Sequence, residues 1–146
     1  MAGRFPLLLL FAATLPPVFG CSSEPVFNYA HVSGKVTLNG QPVPGASILF
    51  TPKGIGKSAI TGEFSMATTD QEGCFTLKAA SGIDGAIIDV HEVAIFPGRG
   101  GDDSEPTVRP VNPVRIPRKY HDGKALTFQV PSGGTDVANF SLEGGK

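Results

Sequence analysis

The side chains able to do chemistry are few and scattered. Three histidines stand at 31, 91 and 121, and two cysteines at 21 and 74. No histidine follows another at the four-residue interval that puts two ligands on one helix face, and none is paired with a cysteine as in a zinc knuckle. A serine nucleophile on a strand-to-helix elbow needs Gly-x-Ser-x-Gly, which does not occur. Gly56-Lys57-Ser58 repeats the end of a phosphate-binding loop, but Thr51 stands where that loop needs its first glycine. Asp102, Asp103 and Glu105 could attract a cation, yet they lack the alternating ligands and the central glycine of a calcium loop. Carboxylates paired only by the fold leave no trace in sequence. The expectation is a chain with no catalytic residues, no metal and no cofactor.

One cysteine has a chemistry set by its position. Met1-Ala2-Gly3-Arg4 is a short positive segment, and Phe5 to Leu15 is an apolar run ended by Pro16 and Pro17. A run of that length suits an export signal and is too short for a permanent membrane span. Val18-Phe19-Gly20-Cys21 follows. It resembles the bacterial lipobox in Val18 and Gly20, with Phe19 bulkier than usual, and this predicts acylation of Cys21. A diacyl or triacyl group buries enough methylenes to hold a protein on a membrane. Cys74 is then a lone thiol in an oxidising compartment, with no neighbouring base to mark it as a nucleophile. A Cys21–Cys74 disulfide in an unlipidated protein stays open as the alternative.

The elements that would position any site are strands. With 19 Gly and 13 Pro in 146 residues, no helical pattern outlasts two turns. Alternation begins after the linker 22–30. Val32, Gly34, Val36 and Leu38 share one face, and Ser33, Lys35 and Thr37 the other. Asn39-Gly40 predicts a tight hairpin. Ala46, Ile48 and Phe50 face one way up to Pro52, and Ser65–Thr69 and Cys74–Ala79 read as two arms of a hairpin about Asp70 and Gly73. Ala86–Phe96 is the longest strand candidate, with His91, Val93 and Ile95 on one face. Ile116–His121 suggests one helical turn. Leu126, Phe128 and Val130, then Ala138, Phe140 and Leu142, complete the pattern. About seven antiparallel strands with one apolar face each predict an all-β sandwich. The domain plan is a signal peptide at 1–20, a tether at 21–30 and a sandwich at 31–146. A net charge of −1 opposes nucleic-acid binding, and Arg115, Arg118 and Lys119 read as a solvated loop face.

Two stretches carry a resemblance. Val32-Ser33-Gly34-Lys35-Val36 with Gly40-Gln41-Pro42-Val43-Pro44-Gly45-Ala46 resembles the opening of carboxypeptidase regulatory-like domains. Thr69-Asp70-Gln71-Glu72-Gly73-Cys74-Phe75-Thr76-Leu77 is similar to their Thr-Asp-x-x-Gly-x-aromatic element. Ile116–Tyr120 and Asn139–Leu142 resemble segments of small bacterial lipoproteins of this type. The resemblance implies a transthyretin-like (prealbumin-like) sandwich, and it puts His91 at an inward aromatic position as a satisfied, half-buried residue. Asp89 departs from the glycine the family has ahead of that strand. Transthyretin-like folds include hydroxyisourate hydrolases, which end in Tyr-Arg-Gly-Ser. This chain ends Glu143-Gly144-Gly145-Lys146, so an exported hydrolase is only the alternative reading.

The expected role is binding or scaffolding in the cell envelope, with the protein held to the membrane through Cys21. The contact loops would be Lys53–Phe64 and Pro97–Pro113, long loops on a rigid scaffold. Arg99, Asp102, Asp103, Glu105 and Arg109 are the candidate binding residues. There is no Trp, and Tyr29 and Tyr120 lie outside these loops, so an envelope protein fits better than a glycan.

Overall fold

Short alternating runs broken by Gly and Pro become short strands, eleven among the described residues. The computed structural model describes residues 26–54, 62–98 and 114–144. Its strands are β1 (Tyr29–Ala30), β2 (Ser33–Leu38), β3 (Gln41–Pro42), β4 (Ala46–Pro52), β5 (Ser65–Thr68), β6 (Cys74–Thr76), β7 (Lys78–Ala79), β8 (Ala86–Ile87), β9 (Val90–Pro97), β10 (Thr127–Gln129) and β11 (Phe140–Leu142). The one helical element among the described residues is a 3-10 turn at Arg118–Tyr120, inside the stretch expected to hold one turn.

A large sheet has the order β10-β9-β4-β5-β7. A small sheet has β11-β2-β3, with β6 also paired to β2, and β1 pairs with β8. The inward residues are the predicted ones. Val32, Val36, Ile48, Phe50, Val93, Ile95, Phe140 and Leu142 are all buried in one core. Phe50 of the large sheet meets Phe140 of the small one edge-on, with ring centroids 6.0 Å apart, and Phe140 also contacts Phe75 and Phe128. Burying a side chain of this size contributes about 1.5–3 kcal/mol. The apolar faces of the two sheets therefore meet, as the alternation required.

Several expectations need correction. Among the described residues the strands number eleven where about seven were expected, because the longer candidates break where the chain changes partner. Ala86–Phe96 splits at Ile88-Asp89: β8 lies on β1, whereas β9 lies between β4 and β10. The arm Cys74–Ala79 splits at Leu77. There β6 pairs with β2 in the small sheet and β7 with β5 in the large one, so the turn at Asp70 feeds a strand that leaves its hairpin partner. The pairing is not wholly antiparallel either, since β11 runs parallel to β2. Tyr29 and Ala30, read as linker, form β1.

The turns carry the predicted backbone. Asn39 and Gly40 have φ of 51° and 80°, the paired positive values of a two-residue hairpin joining β2 to β3. Asp70 Oδ1 accepts from the N–H groups of Glu72 (3.0 Å) and Cys74 (2.8 Å), and Gly73 has φ of 76°.

The sandwich has two ends. At one, Asn39-Gly40, Thr69 and Gly98 close the strands. Thr69 Oγ1 donates to Val43 O (2.6 Å) and accepts from Ala46 N (2.8 Å). At the other, the chain enters through Phe27, whose ring lies against Gly62. Glu63 stitches that end together: the Tyr29 hydroxyl donates to Oε1 (2.5 Å), and the Ser81 hydroxyl and N–H donate to Oε1 and Oε2 (2.6 Å each). The Ser81 hydroxyl, then Tyr29, hold the Glu63 carboxyl below its ordinary pKa, and the bond to Glu63 pushes the Tyr29 phenol up.

Candidate functional site

The outward residues of β2 and β6 floor an open groove of about 530 Å³ on the small sheet. Antiparallel register sets Lys35 opposite Cys74 and Ser33 opposite Thr76, so an ammonium, a thiol and two hydroxyls share one face. Gly34 between them admits a third wall. A β-carbon there would lie 2.1 Å from the Ala138 carbonyl oxygen, so only glycine lets the segment before β11 lie this close. That approach brings in Asp136 and Asn139, and Asn139 Oδ1 accepts from Lys35 N at 3.0 Å. Asp70 closes the far side.

One corner of the groove holds a serine, a histidine and an aspartate. The Ser33 hydroxyl donates to Asp136 Oδ1 at 2.9 Å, and His31 Nε2 lies 3.2 Å from the Ser33 oxygen and 3.1 Å from the same carboxylate oxygen. The residue types are those of a hydrolase, but the connectivity is not. In a nucleophilic triad the hydroxyl gives its proton to one ring nitrogen while the carboxylate holds the other. Here hydroxyl and carboxylate both face Nε2, and the serine proton already points at Asp136. The nitrogen that should be the base faces two oxygens, and the tautomer sets whether it donates or accepts there. The side chains of His31 and Asp136 are 52% and 82% exposed, so water competes for every bond. The arrangement exposes donors and acceptors in a connectivity that differs from that of a nucleophilic triad.

The other histidines serve the fold. His91 is fully buried against Phe50, at 5.5 Å between ring centroids, and Nε2–H donates to the Ile87 carbonyl at 2.8 Å. Nδ1 has no partner, so this residue is more buried and less satisfied than the sequence implied. Burial pushes its pKa down, only partly offset by the Ile87 carbonyl and Asp89. His121 Nε2 bonds the Ile116 carbonyl at 3.1 Å. The three histidines sit on different elements and do not converge. Among the described residues no group of three or more His, Cys, Asp or Glu side chains is arranged to hold a metal ion.

Cys74 is exposed, with its thiol free. Arg115, Arg118 and Lys119 lie at the surface. Cys21 and the candidate binding residues Arg99, Asp102, Asp103, Glu105 and Arg109 lie outside the described residues. The groove itself was half legible: alternation marked Ser33 and Lys35 as outward, but nothing local ties Ser33 to Asp136, 103 positions along the chain. No family model, curated protein or solved structure matches this chain.

Proposed function

We infer that the chain is a non-catalytic, exported binding module, anchored in the cell envelope through a lipid on Cys21 and built on a transthyretin-like sandwich. The observation that supports a non-catalytic reading is the connectivity at Ser33, whose hydroxyl donates to Asp136 while His31 turns the same Nε2 towards both the hydroxyl and the carboxylate. The groove between Lys35 and Asp136 supports a ligand of mixed polar character, such as an extended segment of an envelope protein, held by hydrogen bonds rather than by stacking. The leader at 1–20 and the resemblance of residues 18–21 to a lipobox support export and anchoring.

Amide shifts measured while peptides and glycan fragments from the envelope are titrated in test the groove. Shifts confined to Ser33, Lys35, Thr76 and Asn139 are expected. Turnover of an activated ester that disappears in Ser33→Ala would overturn the non-catalytic reading and favour the exported hydrolase. The anchor is tested by the intact mass of the protein from the membrane fraction, beside Cys21→Ser. A species beginning at Cys21 with acyl mass is expected, and its absence sinks the lipoprotein reading.

A further inference from the structure

Most of the exposed large apolar side chains are gathered towards one end of the sandwich, and Val137 (72% exposed) stands apart from them in the segment before β11 that walls the groove. On β5, Met66 (49% exposed) and the adjoining Phe64 (43% exposed) point out of the large sheet, two residues apart on one face. Val90 is exposed at the start of β9, where its carbonyl accepts from Lys53 N, and Ile83 is exposed in the turn after β7. Val26, the first described residue, is 90% exposed at the same end, one residue before the Phe27 ring that packs on Gly62. Among the described residues the opposite end, at Asn39-Gly40 and Gly98, has no large apolar side chain exposed.

We propose that this end rests on the bilayer surface, with Phe64, Val90 and Val26 in the headgroup layer and the polar groove facing along or away from the membrane. The inference rests on the lipid anchor at Cys21. Five peptide units join Cys21 to Val26, and they reach no further than about 18 Å in any conformation. The eight residues of β9 alone extend about 27 Å. The tether is therefore shorter than the sandwich, and the end it holds is the one that bears the apolar side chains. Single exposed apolar residues need no explanation, but a cluster at the anchored end has one ready-made partner.

Charge separates this from attraction to acidic lipids. The lysines nearest the patch are already paired, Lys53 with Glu92 at 3.5 Å and Lys78 with Asp84 at 3.3 Å, and Glu63, Asp84 and Asp89 are near by. Among the described residues no free basic field faces the surface, so the contact they make does not call for anionic lipid.

The chain contains no Trp, so one introduced Trp reports its own surroundings. Full-length lipidated Phe64→Trp and Gln41→Trp, purified from the membrane fraction, are reconstituted into phosphatidylcholine vesicles with brominated chains. Gln41 is exposed at the far end and serves as the reference, and Val90→Trp is a second reporter should Phe64→Trp fail to fold. Emission from Phe64→Trp should fall about twofold and shift to the blue, as for side chains seated within about 10 Å of the acyl boundary, while Gln41→Trp is unchanged. The quenching should persist when anionic lipid is added or salt raised. Flotation with the vesicles and equal, unquenched emission from the two reporters would overturn the proposal and leave the anchor standing. Failure to float would overturn the anchor and the surface contact together.

Discussion

The two sheets are held together in different ways. In the large sheet the backbone suffices: β4 and β9 pair over seven residues and β4 and β5 over four. In the small sheet no ladder exceeds three residue pairs, and side chains supply what the ladders lack. Asn139 Oδ1 takes the Lys35 N–H, Asn39 Oδ1 takes the Gly144 N–H at 3.0 Å, and the Tyr120 hydroxyl takes the Glu143 N–H at 3.0 Å beside the open edge of β11. The difference explains the two outer faces. The outward face of the large sheet carries an apolar row, Leu49, Met66 and Ala94, of which Met66 is exposed, Leu49 half-buried and Ala94 buried. On the small sheet and its flanks several outward residues bond backbone and are polar, and a polar groove follows, with Val137 the exposed apolar exception.

The comparison breaks most completely at Gly34. Any side chain there meets a backbone carbonyl that has no rotamer to yield, so Gly34→Ala should cost about 3 kcal/mol. Hydrogen exchange should show the loss to be local, with β2 and β11 amides exposed before those of β4 and β9. Equal loss across both sheets would show that the two do not differ in how they are held. Thr69→Val comes next. It keeps the shape but strands a donor and an acceptor in the buried connection between β3 and β4, at a cost of about 2 kcal/mol in chemical denaturation.

What sequence made legible and what it hid follow the same division. The inward sets Ala46, Ile48, Phe50 and His91, Val93, Ile95 could be read because a two-residue period needs no knowledge of the partner strand. The turns at Asn39-Gly40 and Asp70–Gly73 could be read because their bonds close within a few residues. The partner of each strand could not. Phe75 and Ala79 both alternate inward along one predicted arm, yet they belong to different sheets, and nothing at Leu77 announces the change. The parallel pairing of β11 with β2 was hidden for the same reason, and the Asp136 wall of the groove was hidden with it.

His91 sharpens the comparison from the large sheet. Its pKa is lowered in the fold by burial, whereas the unfolded chain has the ordinary value of about 6.5. The unfolded state therefore binds the proton first. Stability is complete above about pH 6.5 and falls as pH drops from there towards the folded value, by up to about 1.4 kcal/mol per pH unit. His91→Phe loses the Ile87 bond but should flatten this slope. A denaturation midpoint that falls with acid equally in His91→Phe would assign the effect elsewhere.

The smallest expected effect discriminates between chemistries. Ser33→Ala removes one hydroxyl from a cluster with two highly exposed members, where water replaces the bonds it made, so stability should change by less than about 0.5 kcal/mol. The substitution also frees one bond on Asp136 and leaves His31 beside that carboxylate, so the groove keeps its charge pattern and loses only a donor. Ligand affinity should then fall by no more than about tenfold, the range of one hydrogen bond. A catalytic serine would behave otherwise. Its loss would leave binding nearly intact and remove turnover by orders of magnitude. Affinity and turnover measured on this one variant thus separate a groove that displays Ser33 from a site that uses it.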